Sequence, residues 1–160
     1  MSILVDAGRV SIAESIALRA IHLAWGSGDG AWVTPPAESL VATALQAEIG
    51  RRTATEVAFV VPDAGGNIVL PNDATFSRSV TPTNHLYIRT AFDFEDGLSE
   101  VIREIAVFVG TVTVGGLPPG QEYFTPAQVS SPGRMLSLEN IGPIYRSPAI
   151  RESFEVVITF

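Results

Sequence analysis

The sequence of 160 residues contains no cysteine and no lysine, only two histidines, and few charges of any kind, since 17% of its residues are charged. A soluble domain ordinarily carries about 25%. The missing cysteine closes disulfide frameworks, thiol nucleophiles and thiolate metal sites. All ten basic residues are arginine, set against 17 acidic ones for a net charge of −7. They are dispersed along the chain, so no basic face exists to answer phosphates, which excludes nucleic acid as a partner. No window approaches the roughly 18 apolar residues of a membrane-spanning helix. Met1 to Asp6 has neither the basic start nor the apolar stretch of a signal peptide.

What is present is a chain that is 46% hydrophobic with little charge to coat a surface. A GC-rich coding sequence accounts for arginine in place of lysine but leaves the low total charge unexplained. Contact between subunits does explain it, because interface cores are depleted in charge and enriched in arginine. The chain is therefore expected to form a homo-oligomer, a trimer or higher.

Hydrophobic spacing predicts a helix over Ala7 to Ala20, with Asp6 as its N-cap, then a strand from Ile21 to Trp25 running into the loop Gly26-Ser27-Gly28-Asp29-Gly30. Pro35-Pro36-Ala37-Glu38 and the Ala- and Leu-rich run from Ser39 to Ile49 predict a second helix. From Glu56 onward the pattern is β. Glu56 to Val61 and Ile68 to Leu70 flank a turn-forming Asp63 to Asn67, which predicts a hairpin. Leu86 to Phe94 alternates, Glu95-Asp96-Gly97 turns the chain, and Val101 to Val109 returns as a second hairpin. That return strand is apolar on both faces apart from Arg103 and Glu104, and is expected to be central or covered on both sides. A Pro- and Gly-rich excursion from Gly115 holds an edge strand around Glu122 to Val129, Met135 to Leu138 is a strand, and Ser153 to Phe160 alternates as another. The reading is one domain over residues 1–160, α+β in class, with one or two N-terminal helices on an antiparallel sheet or sandwich.

The search for chemistry yields little. The glycine loop at 26–30 lacks the ending of a phosphate-binding loop and the spacing of a dinucleotide fingerprint, and Ser27 is not in a nucleophile elbow. His22 and His85 have no helical partner of the kind zinc enzymes use, and read as strand histidines. Asp93, Glu95 and Asp96 lack calcium-loop spacing. Glu100 and Glu104 are near enough in sequence to suggest a glycosidase pair, but on a strand they read as partners for arginine. No cofactor, metal or catalytic residue is assigned. Exposed aromatics offer one alternative function, a carbohydrate-binding module in which Trp25, Trp32 or Tyr123 stacks on sugar rings.

Arg103 and Glu104 are the informative pair, because they interrupt the most apolar strand, where charge is costly unless paired. They form either an intrachain salt bridge or a contact across a subunit boundary. Arg51, Arg52, Arg146 and Arg151 are further interface candidates because guanidinium forks suit such pairing, and Trp32 joins them as an aromatic candidate.

Ile102-Arg103-Glu104-Ile105-Ala106-Val107-Phe108, followed by Val109-Gly110, resembles the Ile-Arg-Glu-Ile-Gly-Leu-Phe signature of N-terminal domains in phage tail-collar fibre proteins. Asp6-Ala7-Gly8, the strand entering Trp25-Gly26-Ser27-Gly28-Asp29-Gly30, Pro35-Pro36, and Leu45 to Arg52 with its Leu-x-x-Glu-x-x-Arg character resemble the same family. The resemblance covers nearly the whole chain and implies a structural virion protein without catalytic residues, made in the host cytoplasm and placed in the tail tip or baseplate. Its expected partners are other tail, baseplate or fibre proteins. With no shaft following Phe160 and a longer Pro-rich excursion over Leu117 to Arg134, the chain resembles an adaptor between tail and fibre more than a fibre itself.

Overall fold

A computed structural model describes residues 1–160, as an α+β fold of one helix and antiparallel sheets. The chain forms two compact units: Met1–Arg19, Ala54–Thr90 and Ser153–Phe160 make one, Ala20–Thr53 and Ala91–Glu152 the other.

The second of these units holds a five-stranded antiparallel sheet. Its strands are β1 (Ile21–Gly26), β2 (Glu48–Thr53), β7 (Val101–Val109), β9 (Tyr123–Phe124) and β11 (Arg134–Tyr145), in the order β11-β7-β1-β2-β9. The apolar strand β7 lies inside the sheet, between β11 and β1, as its composition predicted, and every residue of β1 beside it is buried. Ala24, Leu45, Ala106 and Phe108 form a buried cluster against which Met135 and Leu138 pack. Short strands β8 (Val112–Thr113) and β10 (Val129–Ser131) pair with each other. The predicted excursion strand splits into β9, a 3-10 turn at Pro126–Gln128 and β10.

The other unit carries α1 (Asp6–Ala17) and a sheet of β3 (Glu56–Pro62), β4 (Ile68–Val69), β5 (Thr75–Arg78), β6 (His85–Phe92) and β12 (Glu152–Thr159), in the order β12-β6-β3-β5-β4. Val60, Ile68 and Tyr87 are its buried cluster, with Ala58, Leu70, Phe76 and Val157 packed on them.

Four expectations are corrected. The helix begins at Asp6, with Val5 at the cap position and no side-chain cap bond, so Asp6 sits in the first turn, where its charge suits the helix dipole. The second helix does not form. Residues 39–47 are irregular apart from a turn at Leu40 and Val41, and Glu48 to Thr53 is β2, because its edges are claimed by β1 and β9 while the Gln46 and Ala47 amides go to a buried carboxylate. Tertiary bonds of that kind override the modest helix preference of an Ala-rich run. Neither predicted hairpin pairs directly: β5 lies between β3 and β4, and β6 and β7 belong to different sheets. Turn chemistry at Asp63 to Gly66 and at Asp93 to Gly97 is as expected, but a turn sets only where the chain bends, not which edge the returning strand takes.

Candidate interface and the charged anchors beneath it

Arg103 and Glu104 are neighbours on β7 and have separate fates. Glu104 is only 2% exposed. Its Oε1 accepts from the backbone amides of Ala47 (2.8 Å) and Gly28 (3.3 Å), and its Oε2 accepts from that of Gln46 (3.0 Å). Of the two expected arrangements the intrachain ion pair does not form: three amides from two loops take the carboxylate. Gly26 lies opposite Glu104 in the ladder, and a Cβ there would collide with the carboxylate and with the Ala47 carbonyl, so this approach needs glycine. Arg103 is half-buried and reaches only the Ser27 carbonyl, at 3.3 Å.

Arg51 is 1% exposed. Its Nε and Nη2 form a fork on the Glu48 carboxylate, both at 2.8 Å, while Nη1 donates to Thr111 Oγ1 and to the Pro132 carbonyl, also at 2.8 Å. The guanidinium lies 4.2 Å from the centre of the Phe108 ring. Residues three apart on a regular strand face opposite sides. Here the register shifts between Trp25 and Gly26, which pair with Gly50 and Glu48, and the extra residue, Ile49, brings Glu48 round to the side of Arg51. That bulge has no signal in the sequence, where Glu48 and Arg51 stand together only as the Glu and Arg of the Leu-x-x-Glu-x-x-Arg stretch.

Arg52, Arg146 and Arg151 are brought together on the turn from Asp93 to Gly97. Arg52 bridges Asp96 and Glu122, both at 2.6 Å. Arg146, fully buried, donates to the carbonyls of Asp93 (2.8 Å), Asp96 (3.2 Å) and Ile150 (2.9 Å) and lies 5.1 Å from the Trp25 ring centre. Exposed Arg151 bonds the Asp93 carboxylate at 2.8 Å and covers Phe94 at 4.5 Å. The hydrogen bond from Arg151 holds the Asp93 carboxyl below its ordinary range. Gly97, at φ +56°, presses on the Trp25 ring.

Trp25 is therefore core: fully buried, stacked on Phe92 with centroids 3.6 Å apart, its Nε1 donating to the Tyr123 hydroxyl at 3.1 Å. This removes Trp25 as a sugar platform and turns the Tyr123 hydroxyl inward. Burial pushes the Tyr123 phenol up. His22 is also buried, its ring edge-on to Phe124 and its Nε2 3.3 Å from Thr53 Oγ1, and desolvation together with Arg51 lowers it to about 4.

Trp32 sits over the glycine loop. Its ring rests on Gly28, and it lines a cavity of about 260 Å³ shared with Gln46, Glu104, Leu138 and Asn140. The stretch it belongs to, 31–47, exposes three apolar side chains almost completely: Val33 (98%), Leu40 (104%) and Val41 (86%). A flexible loop could fold such groups away; this one is pinned at Gln46 and Ala47 by Glu104 and at Pro36 and Glu38 by Asn140.

Residues 1–160 match the family model for the baseplate wedge 3 tail fiber network component. The chain belongs to this family. No curated protein matches it. The baseplate wedge family agrees with the sequence resemblance at the level of a phage baseplate component, though it does not carry the tail-collar name. It is a family of structural baseplate parts working with other baseplate and fibre proteins. No cluster of three or more His, Asp or Glu side chains suited to a metal ion is formed in this member, and no helix is long and apolar enough to cross a membrane.

Proposed function

We propose that this baseplate wedge component is a virion protein that joins the tail or baseplate to the tail fibres through protein-protein contacts, with self-association as part of the joint. The observation that carries this reading is the bare apolar set Val33, Leu40 and Val41 on an irregular stretch held in shape by buried Glu104. Apolar groups presented on a pinned backbone bind with little ordering cost, which is what a permanent structural joint needs. Arg51 and Arg146 serve this joint from inside, as braces with their donors spent within the chain. Arg103, Arg151 and Trp32 remain accessible enough to meet a neighbour directly.

The test is incorporation into baseplates. The triple variant Val33→Ser, Leu40→Ser, Val41→Ser should fold normally yet fail to appear in assembled baseplates, and density for residues 31–47 in an electron-microscopy map of virions should lie against another protein. Full incorporation of the variant would defeat the reading. The saccharide alternative now rests on Trp32 alone, beside the amide side chains of Gln46 and Asn140 in one cavity. Glycan binding lost in Trp32→Ala, with incorporation unchanged, would favour it.

A further inference from the structure

Two five-stranded sheets have four edge strands, and the chain blunts three of them. Strands β4 and β9 are two residues long, too short to template a neighbour. Strand β11 has twelve residues, but its ladder with β7 is broken between Met135 and Ser137 and again between Asn140 and Ile144, and it contains Pro143. It is also covered at Asn140, whose amide donates to Glu38 Oε1 at 3.1 Å and whose side chain donates to the Pro36 carbonyl at 3.0 Å. Bulges, proline, shortness and a covering loop are the usual means of protecting an edge.

Strand β12 has none of them. Its eight residues contain no proline, no glycine and no basic side chain, and none is buried. In β6 beside it, Leu86, Tyr87, Ile88 and Phe92 are buried. The apolar residues Phe154, Val156, Val157 and Ile158 of β12 stay half-exposed, as they must where no further strand covers them. The Phe160 amide donates to the Asn84 carbonyl at 2.9 Å. Counting back from it, antiparallel alternation turns the N–H and C=O of Thr159, Val157 and Glu155 away from β6, toward the open edge.

We propose that β12 pairs with β12 of a second copy of this chain, antiparallel about a two-fold axis at Val157. The occupant of such an edge must be an extended strand, and the side chains select this one. With Val157 opposite Val157, Glu155 faces Thr159 on one side of the ribbon. On the other side Phe154 faces Phe160, and Val156 faces Ile158. Aromatic and β-branched pairs are the favourable cross-strand contacts. The two Glu155 carboxylates end four residues apart, about 13 Å along the strands, beyond the reach of screened repulsion. Shifting the axis to Glu155 would set them face to face, a register that like charge disfavours. The proposal names the self-contact within the joint described above, and its test is separable from that reading.

The absence of native cysteine makes the test direct. In a hydrogen-bonded pair the two Val157 Cα atoms lie about 5.5 Å apart, within disulfide range. The Val157→Cys chain should cross-link to itself on oxidation, whereas Thr159→Cys, whose partner is position 155, should not. The wild-type chain should sediment at twice its 17.0 kDa mass at high concentration. Thr159→Glu, at an exposed position, sets like charges face to face with Glu155 of the second copy and should return it to 17.0 kDa with an unchanged circular dichroism spectrum. Hydrogen exchange needs no variant: the Glu155, Val157 and Thr159 amides should become protected as concentration rises, with the Phe160 amide protected throughout. A monomer at every concentration, or a dimer that survives Thr159→Glu and does not cross-link at Val157→Cys, would overturn the pairing. Protection of those amides only on adding a fibre or wedge protein would likewise overturn the second-copy assignment, while leaving the attachment role intact.

Discussion

The segment from Gly28 to Ala47 and the turn from Asp93 to Gly97 are both irregular, both belong to the unit built on β7, and are held by charges of opposite sign. One carboxylate, Glu104, collects the orphan amides of the first. Three guanidinium groups, Arg52, Arg146 and Arg151, collect the carbonyls and carboxylates of the second. Backbone polar groups outside helices and sheets need partners when buried, and a buried charge needs several dipoles around it, so each satisfies the other. The arrangements differ in redundancy. At the Gln46 and Ala47 amides no second side chain stands behind Glu104, the Asn140 ties lying at Pro36 and Glu38, whereas the turn has three independent ties and its own internal bond from the Asp93 amide to Asp96.

That difference ranks the perturbations. Glu104→Gln keeps the shape but puts an amide donor against backbone donors, and should cost about 4 kcal/mol in denaturant unfolding, with the Gln46 and Ala47 amides exchanging fastest of all. A loss near zero would show that the 28–47 segment is held by something else.

Acid tests the sheet that carries both anchors. His22 on β1 faces Phe108 and Thr53 and is kept neutral by burial and by Arg51. Its folded value of about 4 lies below the ordinary 6.5, so between those values the unfolded chain takes up the proton first and stability falls as pH falls. The loss should reach roughly 3 kcal/mol near pH 4 and lie mostly above the range where carboxylates protonate. Desolvation lowers His85 also, so it adds a slope of the same sign. His22→Gln should flatten most of it in unfolding curves taken across that window; an unchanged slope would assign the effect elsewhere.

Arg146→Met should cost about 2 kcal/mol, less than Glu104→Gln although three hydrogen bonds are at stake in each, because Arg52 and Arg151 still hold the turn. A larger loss than at Glu104 would invert the comparison. Arg151→Ala, at an exposed pair, should leave the melting temperature unmoved, while the Asp93 carboxyl titrates upward toward its ordinary value by NMR.

Much of the fold was legible. The alternation of Leu86 to Phe94 marked a strand that ends at Phe92, and the doubly apolar run Val101 to Val109 and the final strand were placed correctly, since periodicity reports burial. Arg103 and Glu104 stood out as charges inside an apolar strand, and Glu104 does turn out to be an anchor. Its partners were hidden because they are backbone amides, and every residue except proline has one. The same blindness produced the helix expected over Ser39 to Ile49: nothing in that run says its amides will be claimed by a carboxylate nearly sixty positions away.

Composition and periodicity by themselves determined the class of the protein. They set an α+β chain with few charges, no thiols, no basic surface and a central apolar strand carrying two charges. Tertiary structure alone decided which of those charges are spent. Burial of Arg51 and Arg146, the bulge that swings Glu48 to Arg51, the three amides on Glu104 and the choice of which sheet edge stays bare all depend on strand order and register. Those are set by long-range pairing between segments, and local pattern carries no record of which partner a strand will find.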